Sequence, residues 1–174
     1  MVTANEVTAL GLCLALVAGL LVYCGYLYAG LTLFVASAAC DALDGSLARA
    51  SGRATEFGLY FDGVADRFSE LFFVIGAVLG AQVPPSAFFV VGGAFTLLLA
   101  RAYGHRHRWG TVPTTFGRPE RLTLLVVGVL CPTPINTVLF VVAGLCCVFS
   151  SAQILARGIT VQNERRETKP QGHT

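Results

Sequence analysis

"DALDGSLARASGRATEFGLYFDGVADR", residues 41–67, decides how this chain is read. Four aspartates and three arginines stand here between two long apolar runs, one ending near Cys40 and the other resuming at Leu71. Asp41 and Asp44 are three apart and Asp62 and Asp66 are four apart, so on helices each pair shares one face. Gly45 and Ala48 continue the first face with almost no side-chain bulk, leaving room for a ligand to lie against the backbone. Gly58 stands one turn before Asp62 on the second face. The polar residues 50–57 can fold the two helices antiparallel, which brings all four carboxylates into one pocket near a membrane surface but recessed from it.

The surroundings make this a membrane reading. Of 174 residues, 55% are hydrophobic and 13% charged, about half the charged fraction of a soluble domain. Apolar stretches near 20 residues match the roughly 30 Å hydrocarbon core of a bilayer. Residues 7–28, 31–49, 58–80, 87–103, 121–131 and 135–156 are six candidate spans, the fifth short enough to need its polar leading turn. Pro84-Pro85, Pro132 and Pro134 punctuate the turns, and 104–119 is a polar loop. The expected fold is all-α: one six-helix transmembrane bundle over 1–157 with a polar, cytoplasm-facing active-site cavity, then a polar, flexible cytoplasmic tail over 158–174.

All twelve Lys and Arg fall on one side of this plan: Arg49, Arg53 and Arg67, then Arg101, Arg106, Arg108, Arg118 and Arg121, then Arg157, Arg165, Arg166 and Lys169. The opposite turns carry no charge. By the positive-inside rule both termini and the aspartates are cytoplasmic, in a multi-pass protein of the cell membrane. The six cysteines lie in or beside apolar runs and read as small hydrophobes. No basic region precedes the first apolar run, so no removable signal peptide is expected. Nothing in the charge pattern points to nucleic acid.

Four gathered carboxylates repel one another and lose solvation unless cations neutralise them. Hard divalent ions with oxygen ligands are the natural solution, and a pair of them bridged by carboxylates is a device for displacement at phosphorus. Two other readings stand beside this one. The acids could make structural salt bridges, Asp66 with Arg67 and Asp44 with Arg49. They could also line the path of a divalent-cation transporter, although such a site belongs near the bilayer midplane.

The stretch reads Asp41-x2-Asp44-Gly45-x2-Ala48-Arg49-x8-Gly58-x3-Asp62-x3-Asp66. It resembles the signature of the CDP-alcohol phosphotransferase family at all eight fixed positions and every spacing, and the six-span plan extends the likeness to nearly the whole chain. The resemblance implies transfer of a phosphatidyl-type group from a CDP-linked lipid, CDP-diacylglycerol or a CDP-archaeol-type donor, to an alcohol, with release of CMP. It implies that Asp41, Asp44, Asp62 and Asp66 hold two Mg2+ or Mn2+ ions, and that Asp66 binds metal or serves as the catalytic base. Gly45, Ala48 and Gly58 would let the cytidine nucleotide approach, and Arg49 would hold a phosphate of the diphosphate. "TANEVTALGL", residues 3–12, is similar to the family's Pro-Asn-x-x-Thr opening with Ala4 in place of proline, which assigns Asn5 and Thr8 to the nucleotide site; helix capping by Thr3 or Asn5 is the plain alternative. A homodimer through the third and fourth spans is also implied.

A second basic cluster bears on the acceptor. Arg101, Arg118 and Arg121 lie at the ends of the fourth and fifth spans, and guanidinium forks suit a phosphate. "GRPERL" and "ARAYG" resemble stretches of the phosphatidylinositol-phosphate and archaetidylinositol-phosphate synthase branch. Tyr103 replaces a usual acid there, and Gly117 precedes Arg118 where that branch has Glu. The expected acceptor is therefore a polyol phosphate, inositol 1-phosphate first and glycerol 3-phosphate second. Positive-inside topology and lipid-headgroup contact are the plain alternative for these arginines. His105 and His107 read as loop residues rather than metal ligands, and Tyr103 and Trp109 as interfacial anchors.

Overall fold

The computed structural model describes residues 4–50, 56–107, 109 and 116–167, and the side chains among them except those of 4–7, 41–60, 161 and 163–167. Six α-helices follow in order: α1 Ala4–Tyr23, α2 Leu27–Ala50, α3 Glu56–Leu79, α4 Phe88–Arg106, α5 Arg118–Leu130 and α6 Ile135–Glu167, with a 3-10 turn at Pro85–Ala87 before α4. No strand occurs among the described residues.

Two segments are long and apolar enough to cross a membrane, Pro85–Arg106 and Ile135–Thr160, while Thr8–Tyr23 and Leu27–Cys40 are shorter apolar stretches. The reason is visible in the chain. α2 and α3 each give one end to the charged motif, and α5 is only 13 residues long. The outer faces of α4 and α6 expose Phe89, Leu99, Leu145 and Phe149, an apolar surface of the kind that marks contact with a membrane or a partner.

The helices pack as two groups: α1 against α2 and α3, and α6 against α4 and α5, with α3 and α4 forming the main backbone junction between them. α3 shows why one helix can serve both core and site. Its buried positions Asp66, Glu70, Phe73 and Ala77 recur at helical spacing, so a single stripe turns from polar to apolar along its length. At the apolar end Phe73 stacks on Phe34 of α2 at 4.4 Å.

Glycines set the closest approaches, as small residues do where helices pack without a hydrophobic driving force. A Cβ on Gly76 of α3 would fall inside the backbone of Gly19 on α1, and one on Gly144 of α6 would meet the Phe89 carbonyl of α4. Gly30 is a correction to the sequence reading, whose first two spans, 7–28 and 31–49, leave it in the turn between them; the backbone treats Gly25 and Gly30 differently. Only Gly25, at φ +92°, needs the left-handed region. Gly30 lies inside α2, where its missing side chain admits Val22 and the Ala18 carbonyl of α1. A measurable consequence follows. Gly76→Ala should lower the thermal midpoint of the purified protein, with overpacking costing on the order of 1–3 kcal/mol. Gly92→Ala, where nothing lies within 4 Å, should be neutral or stabilising because alanine is the better helix former. Equal behaviour of the two would contradict this packing.

Two ends also differ from expectation. α4 runs on through Arg106, so His105 is helical; His107 caps the helix end and stacks on Trp109. Trp109 is buried against Gly104 and Gly158 instead of sitting at an interface. α6 continues through Glu167, ten residues beyond the expected end of the bundle at 157; Gln162, Glu164, Arg165, Arg166 and Glu167 are good helix formers, and the next proline in the sequence is Pro170. The proposed turn between α2 and α3 lies largely outside the described residues.

Candidate active site

Where the two helix groups meet, a narrow polar cleft opens between α1, α2, α3 and α5. Thr8 of α1, Ser37 of α2, Asp66, Ser69 and Glu70 of α3, and Arg118 of α5 line it. Ser37 donates to the Gly11 carbonyl at 3.1 Å, which ties α2 to α1 along one wall. On α5 the sequence Gly117-Arg118-Pro119-Glu120 starts the helix. Pro119 tolerates the first turn, and the Gly117 N–H donates to the Glu120 carboxylate at 2.9 Å. That start point puts Arg118 at the cleft.

Asp66 is buried and held by two guanidiniums: Arg118 Nη2 lies 2.5 Å from Oδ1, and Arg67 Nη1 lies 3.5 Å from Oδ2. Its two partners differ in access. Arg67 is even more buried than Asp66, whereas a quarter of the Arg118 side chain is open to solvent. One turn further along α3, Glu70 receives Arg121 in a two-point fork, Nε to Oε2 at 3.0 Å and Nη2 to Oε1 at 2.5 Å. Both side chains of that pair are sealed from solvent. Arg101 of α4 is exposed, close enough to Arg121 for the two charges to repel.

The expected site residues are distributed as follows. Thr8, Asp66 and Arg118 line the cleft together. Asp62 stands half-buried one turn before Asp66 on α3. Asp41, Asp44, Gly45, Ala48 and Arg49 occupy the closing turns of α2, Gly58 the opening turn of α3, and Asn5 the opening turn of α1; their side chains lie outside those described. Asn5 is inside its helix and not at the cap. Arg121 sits beneath the cleft, paired with Glu70. The sequence reading passed over Glu70, yet the signal was available: 62, 66 and 70 are successive fours on one helix face. Among the described residues no group of three metal-ligating side chains gathers; two of the four motif aspartates have side chains outside that set.

Beside the cleft runs an apolar groove between α2 and α5, with Val35, Ala39, Val126 and Val127 in its walls. Its volume of about 390 Å3 is that of a ligand site. Phe34, Ala38 and Leu122 line both the groove and the polar cleft. A charged cleft and an apolar groove therefore adjoin across a shared wall, an arrangement that suits an amphipathic molecule.

Comparison with known proteins now decides the class. The family model for CDP-alcohol phosphatidyltransferase matches residues 1–162. The chain belongs to this family. It is 31% identical over 132 residues to the archaetidylinositol phosphate synthase of Pyrococcus horikoshii, covering 74% of this chain and 70% of that one. Among solved structures it is similar to the Mycobacterium tuberculosis phosphatidylinositol phosphate synthase with CDP-DAG bound, at TM-score 0.76 and 23% identity, covering 91% of this chain and 87% of that chain. The same protein in complex with manganese and citrate gives TM-score 0.69 at 24% identity, covering 91% and 83%. As a CDP-alcohol phosphotransferase the chain is an enzyme, and the cation-transporter reading of its acidic motif is set aside. The family's eight-position signature falls on the facing ends of α2 and α3.

Proposed function

We propose that this CDP-alcohol phosphotransferase transfers a phosphatidyl-type group from a CDP-linked lipid to inositol 1-phosphate and releases CMP. The observation that carries this is that the Asp66–Arg118 cleft and the apolar α2–α5 groove lie side by side, with Phe34, Ala38 and Leu122 lining both. A diphosphate head needs the first part and a lipid tail the second. An inositol phosphate acceptor is supported by the two relatives, named as an archaetidylinositol phosphate synthase and a phosphatidylinositol phosphate synthase, and by the partly solvated guanidinium of Arg118 in the cleft. Six spans, cytoplasmic termini and a cytoplasm-facing cleft follow from the one-sided distribution of all twelve Lys and Arg. A homodimer through α3 and α4 completes the proposal.

In this reading Thr8, Asn5, Gly45, Ala48, Arg49 and Gly58 hold the cytidine diphosphate, the small residues by leaving room and Arg49 by binding phosphate. The acceptor hydroxyl attacks the lipid-bearing phosphorus, and the bond from that phosphorus to the bridging oxygen breaks. CMP departs with the bridging oxygen, and Asp66 accepts the hydroxyl proton. The donor set of Asp41, Asp44, Asp62 and Asp66, four acceptor-only carboxylates on adjoining helix ends, fits two Mg2+ or Mn2+ ions. Bound there, such ions would neutralise the diphosphate charge. Arg118 trades Asp66 for the acceptor's phosphate when it arrives.

The test is direct. Purified protein is incubated with CDP-diacylglycerol or its ether-linked analogue and a panel of inositol 1-phosphate, glycerol 3-phosphate, free inositol and serine, and CMP is measured. Release with inositol 1-phosphate is expected. Release with glycerol 3-phosphate alone moves the enzyme to the second acceptor, and release with an uncharged alcohol alone overturns the phosphate clamp.

A further inference from the structure

We propose that Glu70 is a positioning residue for this reaction: through Arg121 it fixes the start of α5 so that Arg118 is held over Asp66. The inference rests on the functional reading above and adds to it a residue outside the eight-position signature.

The geometry is a ladder of two charged rungs between parallel stretches of α3 and α5. Asp66 and Glu70 are four apart on α3, and Arg118 and Arg121 are three apart on α5, so each pair lies on one face of its helix. The outer rung, Arg118 Nη2 to Asp66 Oδ1, lies in the cleft with its arginine partly solvated. The inner rung, Arg121 to Glu70, is a two-point fork with no solvent access. The first can exchange for a ligand and the second cannot.

The ladder matters because it joins the polar start of α5 to α3 where apolar packing does not reach. α5 rests on α6, and its backbone makes almost no close approach to α3. Leu125 and Val129 seat the later turns of α5 in the core shared with Phe73 and Ala77; at the start of the helix the inner rung, one turn away, is what ties Arg118 to its place over Asp66. Glu70 also lines the cleft beside Asp66, which would make it eligible as a further metal ligand or base. Both its oxygens are committed to Arg121, and that separates its role from the role of Asp66. A lysine at 121 could supply the charge but not the fork that fixes the angle of the helix.

The experiment uses full-length protein in nanodiscs and the variants Glu70→Asp, Glu70→Gln, Arg118→Ala and the double variant Glu70→Asp with Arg118→Ala. Glu70→Asp keeps the buried charge paired and withdraws the fork by one methylene. It should fold, leave the KM for CDP-diacylglycerol unchanged, and raise the KM for inositol 1-phosphate on the order of ten- to a hundredfold, the scale of an ångström-sized misplacement. Glu70→Gln strands a buried guanidinium and should lose thermal midpoint as well. If Glu70 acts through Arg118, the double variant has the acceptor KM of Arg118→Ala alone, because the second change has nothing left to misplace. The same cycle in thermal midpoints requires no acceptor and should be non-additive too. A folded Glu70→Asp with unchanged acceptor KM, or effects of the two changes that multiply, overturns the proposal. Wild-type protein that releases no CMP with inositol 1-phosphate counts against the acceptor assignment alone; the kinetic cycle is then read with the acceptor that does react, and the thermal cycle stands regardless.

Discussion

Asp66→Asn should lower turnover by about two to four orders of magnitude, the usual contribution of a positioned general base, while binding of the CDP-linked donor survives. The two expectations separate because, on the proposed assignment, Asp41, Asp44 and Asp62 would remain to hold the diphosphate end through the divalent ions. Asparagine preserves the shape of the side chain, so Ala65 and Arg67 on either side keep their burial. It removes the charge that draws Arg118 to 2.5 Å in the cleft, and it removes the acceptor for the hydroxyl proton. Asp41→Asn and Asp62→Asn, by contrast, should weaken donor binding together with turnover. Single-turnover CMP release beside equilibrium binding of a CDP analogue distinguishes these patterns. Near-normal turnover in Asp66→Asn would end its assignment as the base.

Removing divalent cations should have a comparably large effect. With excess EDTA, CMP release is expected to vanish, and added Mg2+ or Mn2+ should restore it. In the proposed site two pairs of carboxylates would meet a substrate that is itself a dianionic diphosphate, and like charges gathered so closely exclude one another unless neutralised. Two of the described arginines are already committed, Arg121 matched by Glu70 and Arg67 turned to Asp66 from the buried side, and Arg118 alone cannot balance four carboxylates and a diphosphate. Full activity in EDTA, with the metal content of the protein shown to be nil, would remove the divalent-ion proposal and leave protein cations to carry the charge.

Much of the site was legible in the sequence because helical spacing is rigid arithmetic. Once residues 41–66 are helical on both sides of a turn, the faces of Asp41, Asp44, Asp62 and Asp66 are fixed before any tertiary contact forms. The helix order was legible for the same reason, since apolar runs and prolines mark it. What escaped depends on packing between distant segments. Gly30 reads as a turn residue in isolation, and only the close approach of α1 makes it a helix contact. Trp109 reads as an interfacial anchor, and only Gly104 and Gly158 reveal the space it fills. Arg121 reads as one more cation of a basic cluster. Its burial depends on a carboxylate 51 residues earlier, a pairing that no local pattern announces.

The shared lining of Phe34, Ala38 and Leu122 has a kinetic consequence. A donor whose tail lies along the α2–α5 groove enters the cleft sideways, out of the lipid leaflet, and never passes through water. Its relevant concentration is then a mole fraction in the surface and not a molarity in the tube. Adding inert detergent or phospholipid at constant total donor should slow the reaction by surface dilution, whereas enlarging the aqueous volume at constant membrane composition should leave the donor term untouched. The acceptor, arriving from the aqueous side past Arg118, should show the opposite dependence. One catalytic centre would thus obey two concentration scales, a two-dimensional one for the lipid and a three-dimensional one for the polyol phosphate.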